Sequence, residues 1–428
     1  MQACHEFHAC YDGPCPTPRR AESSGGAASS AGEGTDASAG ASGSSAAAGG
    51  TGAAAGGELN LAGDAGAGGG AGALTCPPPS ANCDESSLTG CEVNLLTNVA
   101  NCGACGARCR GVCALGECHA FETLASDFDP PPYRGIDFTS SDVYALSSRF
   151  STQLLRWSEG HGAESLLSDG PDFSGIVSGV DRVYLLGSYD DRLWSIPFSG
   201  GMLSEDQQTA IAAVRVGPTL YAVDTARMPY SRAQGSQSRD DLPLPSGLAS
   251  TLPEDAEAIM ASDGVQVVLA MSRLDDKGAA LYWVFLLQLP RAGDSSQWQL
   301  LGTGPGELRG VRVSGSAAYL DLVVNPTDGV NDSDVMHELR ELSFDNRSML
   351  LQRVAGVLDF TIVNARLYAS LELHDNASAL RIVPLEDPSL SVDYETSAPM
   401  ASLSLSLPYF YFGDGVRHDL SRLRAWLE

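Results

Sequence analysis

Asp142-Val143-Tyr144-Ala145-Leu146 recurs in looser form as Arg182-Val183-Tyr184-Leu185-Leu186, Thr219-Leu220-Tyr221-Ala222-Val223, Ala318-Tyr319-Leu320-Asp321-Leu322 and Arg366-Leu367-Tyr368-Ala369-Ser370. Gln266-Val267-Val268-Leu269-Ala270 fits the same frame without its tyrosine. Each is a short run of β-branched, aromatic and aliphatic residues bounded by Gly, Asp, Asn, Ser or Pro, the composition of a strand between tight turns. A second run usually follows about a dozen residues later, as in Leu154-Leu155-Arg156-Trp157, Arg192–Pro197, Glu338–Leu342 and Ala379–Pro384. The key positions 144, 184, 221, 268, 319 and 368 lie 40, 37, 47, 51 and 49 residues apart.

That period is one supersecondary unit of about 40 to 50 residues, the length of a propeller blade. A small antiparallel sheet leaves an apolar face exposed, and stacking further sheets around an axis buries it while leaving only short edges. Six copies plus a terminal unit around Leu407-Pro408-Tyr409-Phe410-Tyr411-Phe412 predict an all-β, six- or seven-bladed β-propeller, its last blade completed by a strand from Phe121 onward. The pattern resembles the repeat units of such propellers, without Trp-Asp or kelch signatures. One large β-sandwich, or two, is the competing architecture. Only the last dozen residues allow helical periodicity.

Upstream, composition divides the chain of 428 residues into four parts. Residues 1–20 hold Cys4, Cys10 and Cys15 among Pro and His and read as the end of a truncated cysteine-containing segment. Residues 21–75 are nearly all Gly, Ala, Ser and Thr, too poor in apolar surface to offset chain entropy, and are expected to form a disordered linker. Residues 76–118 hold Cys76, Cys83, Cys91, Cys102, Cys105, Cys109, Cys113 and Cys118. A unit of about 40 residues needs disulfides or metal in place of a core. Eight thiolates without an intervening histidine exceed one zinc site, so disulfides are the preferred reading, with connectivity open. Residues 119–428 form the propeller-like domain and hold no cysteine after Cys118.

The stretch Asn82-Cys83-Asp84, Thr89-Gly90-Cys91-Glu92-Val93-Asn94, Asn101-Cys102-Gly103-Ala104-Cys105-Gly106 and Gly116-Glu117-Cys118 resembles the NCGACG-type cysteine repeats of secreted and cell-surface proteins of myxobacteria and related bacteria. The resemblance covers about a tenth of the chain and implies an exported or surface protein with no defined activity. Lys277 is the only lysine among 26 basic residues, which fits a high-GC bacterial genome. Met1–Arg20 has no secretory n- and h-region, so a signal or lipid anchor is expected upstream of Met1. The longest strongly apolar run, Leu281–Leu289, is far short of the roughly 20 residues of a membrane-spanning helix.

A net charge of −27 repels phosphate backbones and argues against nucleic acid as a partner. No Gly-x-Ser-x-Gly elbow appears in the β domain, and the chain has no His-Glu-x-x-His and no Lys-Ser/Thr-ended phosphate loop. No catalytic residue or cofactor-binding residue is therefore assigned. His161, His337, His374 and His418 are too far apart for one local site and are expected at the surface. Asn325–Asp334 supplies Asp328, Asp332 and Asp334 as candidate Ca²⁺ ligands without the full EF-hand pattern, against the plainer reading of an acidic turn. Tyr189-Asp190-Asp191 and Leu274-Asp275-Asp276 read as hairpin turns. Cys4, His5, His8 and Cys10 are a weaker metal set. The sequon asparagines Asn331, Asn346 and Asn376 carry no weight in a bacterial protein.

The function expected from this architecture is non-enzymatic: a secreted or surface-tethered monomer on a flexible stalk, binding an extracellular protein, glycan or small molecule through propeller loops. The alternative is an extracellular propeller enzyme cleaving carbohydrate or ester, with Ca²⁺ in the channel and a carboxylate pair from two blades. A structural role in the cell envelope is the third reading.

Overall fold

The recurrent tyrosines all fall in the second strand of an antiparallel sheet, and seven such sheets follow one another along the chain. The computed structural model describes residues 76–428 apart from 85, 87–89, 129, 131–134, 148–150, 247–254, 275–278, 290–296, 325–334, 374–376, 415–416 and 426–428. Blade 1 is Ile136–Phe138, Asp142–Ser147, Thr152–Ser158 and Gly162–Gly170, and blade 2 is Phe173–Ser178, Arg182–Gly187, Arg192–Pro197 and Ser204–Thr209. Blade 3 is Ala212–Val216, Thr219–Val223, Pro229–Ala233 and Asp240–Asp241, and blade 4 is Glu257–Ser262, Val267–Leu274, Ala280–Gln288 and Gln297–Pro305. Blade 5 is Glu307–Ser314, Ala317–Val323, Met336–Ser343 and Ser348–Ala355; blade 6 begins with Val357–Val363, Arg366–Glu372, Ser378–Pro384 and Val392–Thr396. Blade 7 takes Met400–Ser406, Tyr409–Asp414 and Asp419–Arg424 from the C-terminal end and Glu122–Ala125 from the other. The fold is a seven-bladed β-propeller, not a sandwich, and the last dozen residues contribute the strand Asp419–Arg424 where helical periodicity was the other option.

The repeat has a packing reason. Tyr144, Tyr184, Tyr221, Val268, Tyr319, Tyr368 and Tyr411 are between 0% and 9% exposed, and each joins a cluster with residues of the following blade. Because alternate residues of a strand point to opposite faces, their neighbours face the preceding blade. Tyr144 packs with Ile176 and Val183 of blade 2, while Val143 and Ala145 pack with Tyr411 of blade 7. Seven clusters therefore fill seven seams, and each blade buries on its neighbours what it cannot bury alone.

Blade 7 closes the ring. Glu122–Ala125 pairs with Asp419–Arg424 in the register Arg422↔Glu122, Ser421↔Thr123 and Leu420↔Ala125. Arg422 Nε donates to Glu122 Oε2 at 2.7 Å and Nη2 donates to Oε1 at 3.0 Å. The same guanidinium lies 4.8 Å from the Trp157 ring centre and 4.2 Å from that of Tyr409, so it bridges blades 7 and 1.

The eight cysteines form four disulfides: Cys76–Cys91, Cys83–Cys105, Cys102–Cys113 and Cys109–Cys118. Two of them converge on the hairpin Gly111–Ala114 and Glu117–Ala120, which lies against the outer strand of blade 6 with Val112 opposite Thr396 and makes a six-stranded sheet. A Cβ at Gly111 would collide with the His119 carbonyl, so only glycine fits where the two hairpin strands meet. Val112 is fully buried with Tyr368, Leu380, Met400 and Phe412, which anchors the cysteine module in the seam between blades 6 and 7. Among the described residues no helix is long and apolar enough to cross a membrane.

Candidate ligand channel

The innermost strand of every blade borders one central cavity of about 280 Å³. Register identifies seven equivalent positions on these strands, the residues directly opposite the repeat tyrosine or its counterpart: Asp137, Val177, Val214, Ala261, Arg312, Thr361 and Ser404. All seven line the cavity. One step further along the strands stand Phe138, Arg215, Ser262 and Leu405, which line it as well. The same backbone position thus supplies an acid, a base, two hydroxyls and three small apolar side chains.

Asp137 ties two blades together. Its Oδ1 accepts the Phe138 amide at 2.8 Å and its Oδ2 accepts the Ser178 amide of blade 2 at 2.6 Å. Asp359 does the same between blades 6 and 7, accepting the Phe360 amide at 2.7 Å and a bond from the Leu403 backbone. Enclosure by the channel wall raises both carboxyls above the ordinary aspartate value, because burial disfavours the charged form; the amide bonds and the guanidinium nearby, Arg215 for Asp137 and Arg312 for Asp359, oppose that rise.

The two arginines of the channel differ. Arg312 Nη2 donates to Asp359 Oδ1 at 2.7 Å, Nη1 donates to the Val311 carbonyl at 3.1 Å, and the guanidinium lies 5.4 Å from the Phe360 ring centre. Arg215 makes no ion pair among the described residues. It reaches only its own turn, where Nη1 donates to the Gly217 carbonyl at 3.3 Å.

Behind Asp359, Asp321 and His337 form a buried pair, with His337 Nδ1 2.7 Å from Asp321 Oδ1 and the two residues 6% and 4% exposed. The negative charge of Asp321 adds to the rise of the Asp359 carboxyl. This corrects the expectation of a surface histidine at 337. The signal was an aspartate inside the apolar run Tyr319-Leu320-Asp321-Leu322-Val323, since a buried carboxylate requires a polar partner. His161 is exposed and His418 half-buried, while His374 lies outside the described residues.

The candidate calcium ligands Asp328, Asp332 and Asp334, in the chain between the second and third strands of blade 5, lie outside the described residues; Asp275, Asp276, Cys4, His5, His8, Cys10, Asn331 and Asn376 also lie outside them. Tyr189-Asp190-Asp191 forms the expected hairpin turn, with Asp190 Oδ1 accepting the Arg192 amide at 3.1 Å. Asn346 sits in a turn with φ 67°. The channel residues were not singled out from sequence. One signal was present: Asp137-Phe138-Thr139 and Asp359-Phe360-Thr361 repeat the same tripeptide on two inner strands. Register places Asp359 two residues before the position equivalent to Asp137, so the copies line the channel at different depths.

No protein-family profile matches the chain. No curated protein matches it. Among solved structures it is similar to the β-propeller domain of Cps50 (Swd1) from Myceliophteria thermophila, at 9% identity and TM-score 0.47 over 72% of this chain and 100% of that one. It is similar to YCF48 from Cyanidioschyzon merolae at 10% identity and TM-score 0.43, covering 72% and 97% of the two chains. BamB from Moraxella catarrhalis is similar at 9% identity and TM-score 0.43, covering 71% and 98%.

Proposed function

We propose that this chain is an exported bacterial binding protein, displayed at the cell surface or secreted, whose propeller recognises an extracellular protein, glycan or small molecule and performs no catalysis. The observation that carries the reading is the way a four-disulfide module is built into blade 6. Disulfides of this density belong to oxidising compartments, and here the hairpin they hold shares the core of the ring. The NCGACG-type repeat and the Gly/Ala/Ser-rich stretch before it support display on a stalk, with a monomeric propeller at its end.

The channel supports binding over turnover. Both oxygens of Asp137 accept backbone amides, one of its own strand and one of blade 2, and Asp359 is bonded to Arg312 and to blade 7. A general acid or nucleophile needs a carboxyl directed at substrate, whereas these two are engaged in seams.

The test is to immobilise the oxidised protein and measure binding to surface polysaccharide and secreted-protein fractions of the producing cells, alongside hydrolysis of chromogenic glycosides and esters. Saturable binding with no turnover is expected. Hydrolysis that disappears in Asp137→Asn or Asp359→Asn would replace this reading with the enzyme.

A further inference from the structure

We infer that the central channel is a receptor site for a small organic carboxylate with an apolar body, its negative charge taken by Arg215 and Ser262. This inference rests on the binding reading above and names the ligand class of the channel.

Four charged side chains line the cavity, and three are already committed. Arg312 and Asp359 neutralise each other, and Asp137 receives two backbone amides. Arg215 remains as a guanidinium of five donors with one internal bond, to Gly217. Arg215 is half-buried and lines the cavity with donors unspent, and charge-assisted bonds from a planar guanidinium to an anion are strong and directional. Ser262 stands at the equivalent position of the adjacent blade and adds a hydroxyl beside it. Phe138, Leu405, Val177 and Val214 line the same cavity and give it an apolar side, while the Asp137 carboxyl is also within electrostatic reach of Arg215. A cavity of about 280 Å³ has room for one small molecule. A carboxylate carrying a hydrocarbon group satisfies both walls; an inorganic anion would leave the apolar wall wet, and a neutral molecule would offer the Arg215 donors no charged acceptor.

The experiment is titration calorimetry on the oxidised full-length chain at low ionic strength, with 3-phenylpropionate, hexanoate and N-acetyl-leucinate as probes and 3-phenylpropionamide as the neutral control. Saturable one-site binding of at least one carboxylate is expected, weakened by added salt and absent for the amide. Arg215→Gln should weaken it roughly ten- to a hundredfold, the range for one charged hydrogen-bonded contact, Arg215→Lys should restore part of it, and Ser262→Ala should cost less than Arg215→Gln. Arg347→Gln, on an exposed turn where Arg347 pairs with Asp345, is the control expected to change nothing. A cooperative melt retained by every variant shows that each is folded. Equal binding of carboxylate and amide, an unchanged Arg215→Gln, or no saturable binding of any carboxylate overturns the assignment. Loss of the channel site with surface-fraction binding intact sinks this inference alone; loss of surface-fraction binding with the carboxylate site intact sinks the display reading alone.

Discussion

Blades 6 and 7 both take up chain from before residue 126, and they hold it to different extents. Blade 7 lacks a fourth strand without Glu122–Ala125, so that strand closes the ring and is paired at three positions. Blade 6 is complete without help, and the hairpin Gly111–Ala114 and Glu117–Ala120 is an addition, paired to it at one position. The closing strand needs no cross-link because it inherits the core of the whole ring. The added hairpin brings its own stability as disulfides and inserts a single side chain, Val112, into the core. A missing strand is therefore recruited by ring packing, and an extra hairpin, held in shape by disulfides within residues 76–118, is docked by one buried side chain.

The largest expected effect breaks the blade 7 side. Arg422→Ala removes a side chain only 9% exposed, with its bidentate bond to Glu122 and its contacts to two aromatic rings. We expect a loss of about 2–4 kcal/mol of unfolding free energy from charged hydrogen bonds and cation–π contact together, read as a lower midpoint in urea. Glu122→Gln should cost under about 1 kcal/mol, because the carboxylate is 55% exposed and solvent screens the pair. Equal losses from the two would mean that the ion pair, not the aromatic sandwich, holds the seam.

The blade 6 side breaks differently. Converting Cys102 and Cys113 together to alanine opens a link spanning 11 residues, worth about 2–4 kcal/mol to the module by chain entropy. The loss should be local: faster amide exchange and proteolysis within residues 76–118, with the exchange-protected strands of blades 1–5 unchanged. Uniform loosening of all seven blades would show that the module holds the ring together. Val112→Ala sharpens the same point from the core side. It removes buried methyl groups at the seam and should cost about 1–3 kcal/mol, transfer plus cavity, lowering the midpoint of the propeller itself.

The contrast also explains what could be read from the residues alone. Tyr144, Tyr184 and their counterparts announce themselves because each occupies one position of a strand whose two faces are both buried, so the apolar run recurs at blade spacing. The strand after Phe121 was legible for the same reason, since a ring of repeats must close on its own ends. The module's hairpin joining blade 6 was not, because Gly111–Ala114 pairs through backbone groups and its one core residue, Val112, looks like any valine beside a cysteine. The channel escaped as well. Its seven equivalent positions hold Asp, Val, Val, Ala, Arg, Thr and Ser, and a wall that faces a cavity imposes no common side chain. His337 was misplaced because spacing along the chain says nothing of a partner one strand away, in this case Asp321.

The smallest expected effect concerns the inner end of the seam between these two blades, where Asp359 of blade 6 reaches the Leu403 backbone of blade 7. Burial raises its carboxyl in the folded protein, so its contribution is fully present below the unfolded value of about 3.9 and is lost as pH rises through the folded value. Glu338 of blade 5 has the opposite sign. Burial pushes it up, but bonds from Arg340 at 2.7 Å and Arg353 at 2.8 Å outweigh that and hold it below the usual range. Its contribution is present above the unfolded value of about 4.3 and is lost as pH falls through the folded one. Melting temperatures of wild type, Asp359→Asn and Glu338→Gln, taken at steps between pH 3 and pH 7, separate the two. The wild-type advantage over Asp359→Asn should shrink as pH rises, and that over Glu338→Gln should shrink as pH falls. Parallel curves for the two variants would mean that the Asp359 carboxyl is ionised in the fold at every pH tested, as a full ion pair with Arg312 of blade 5.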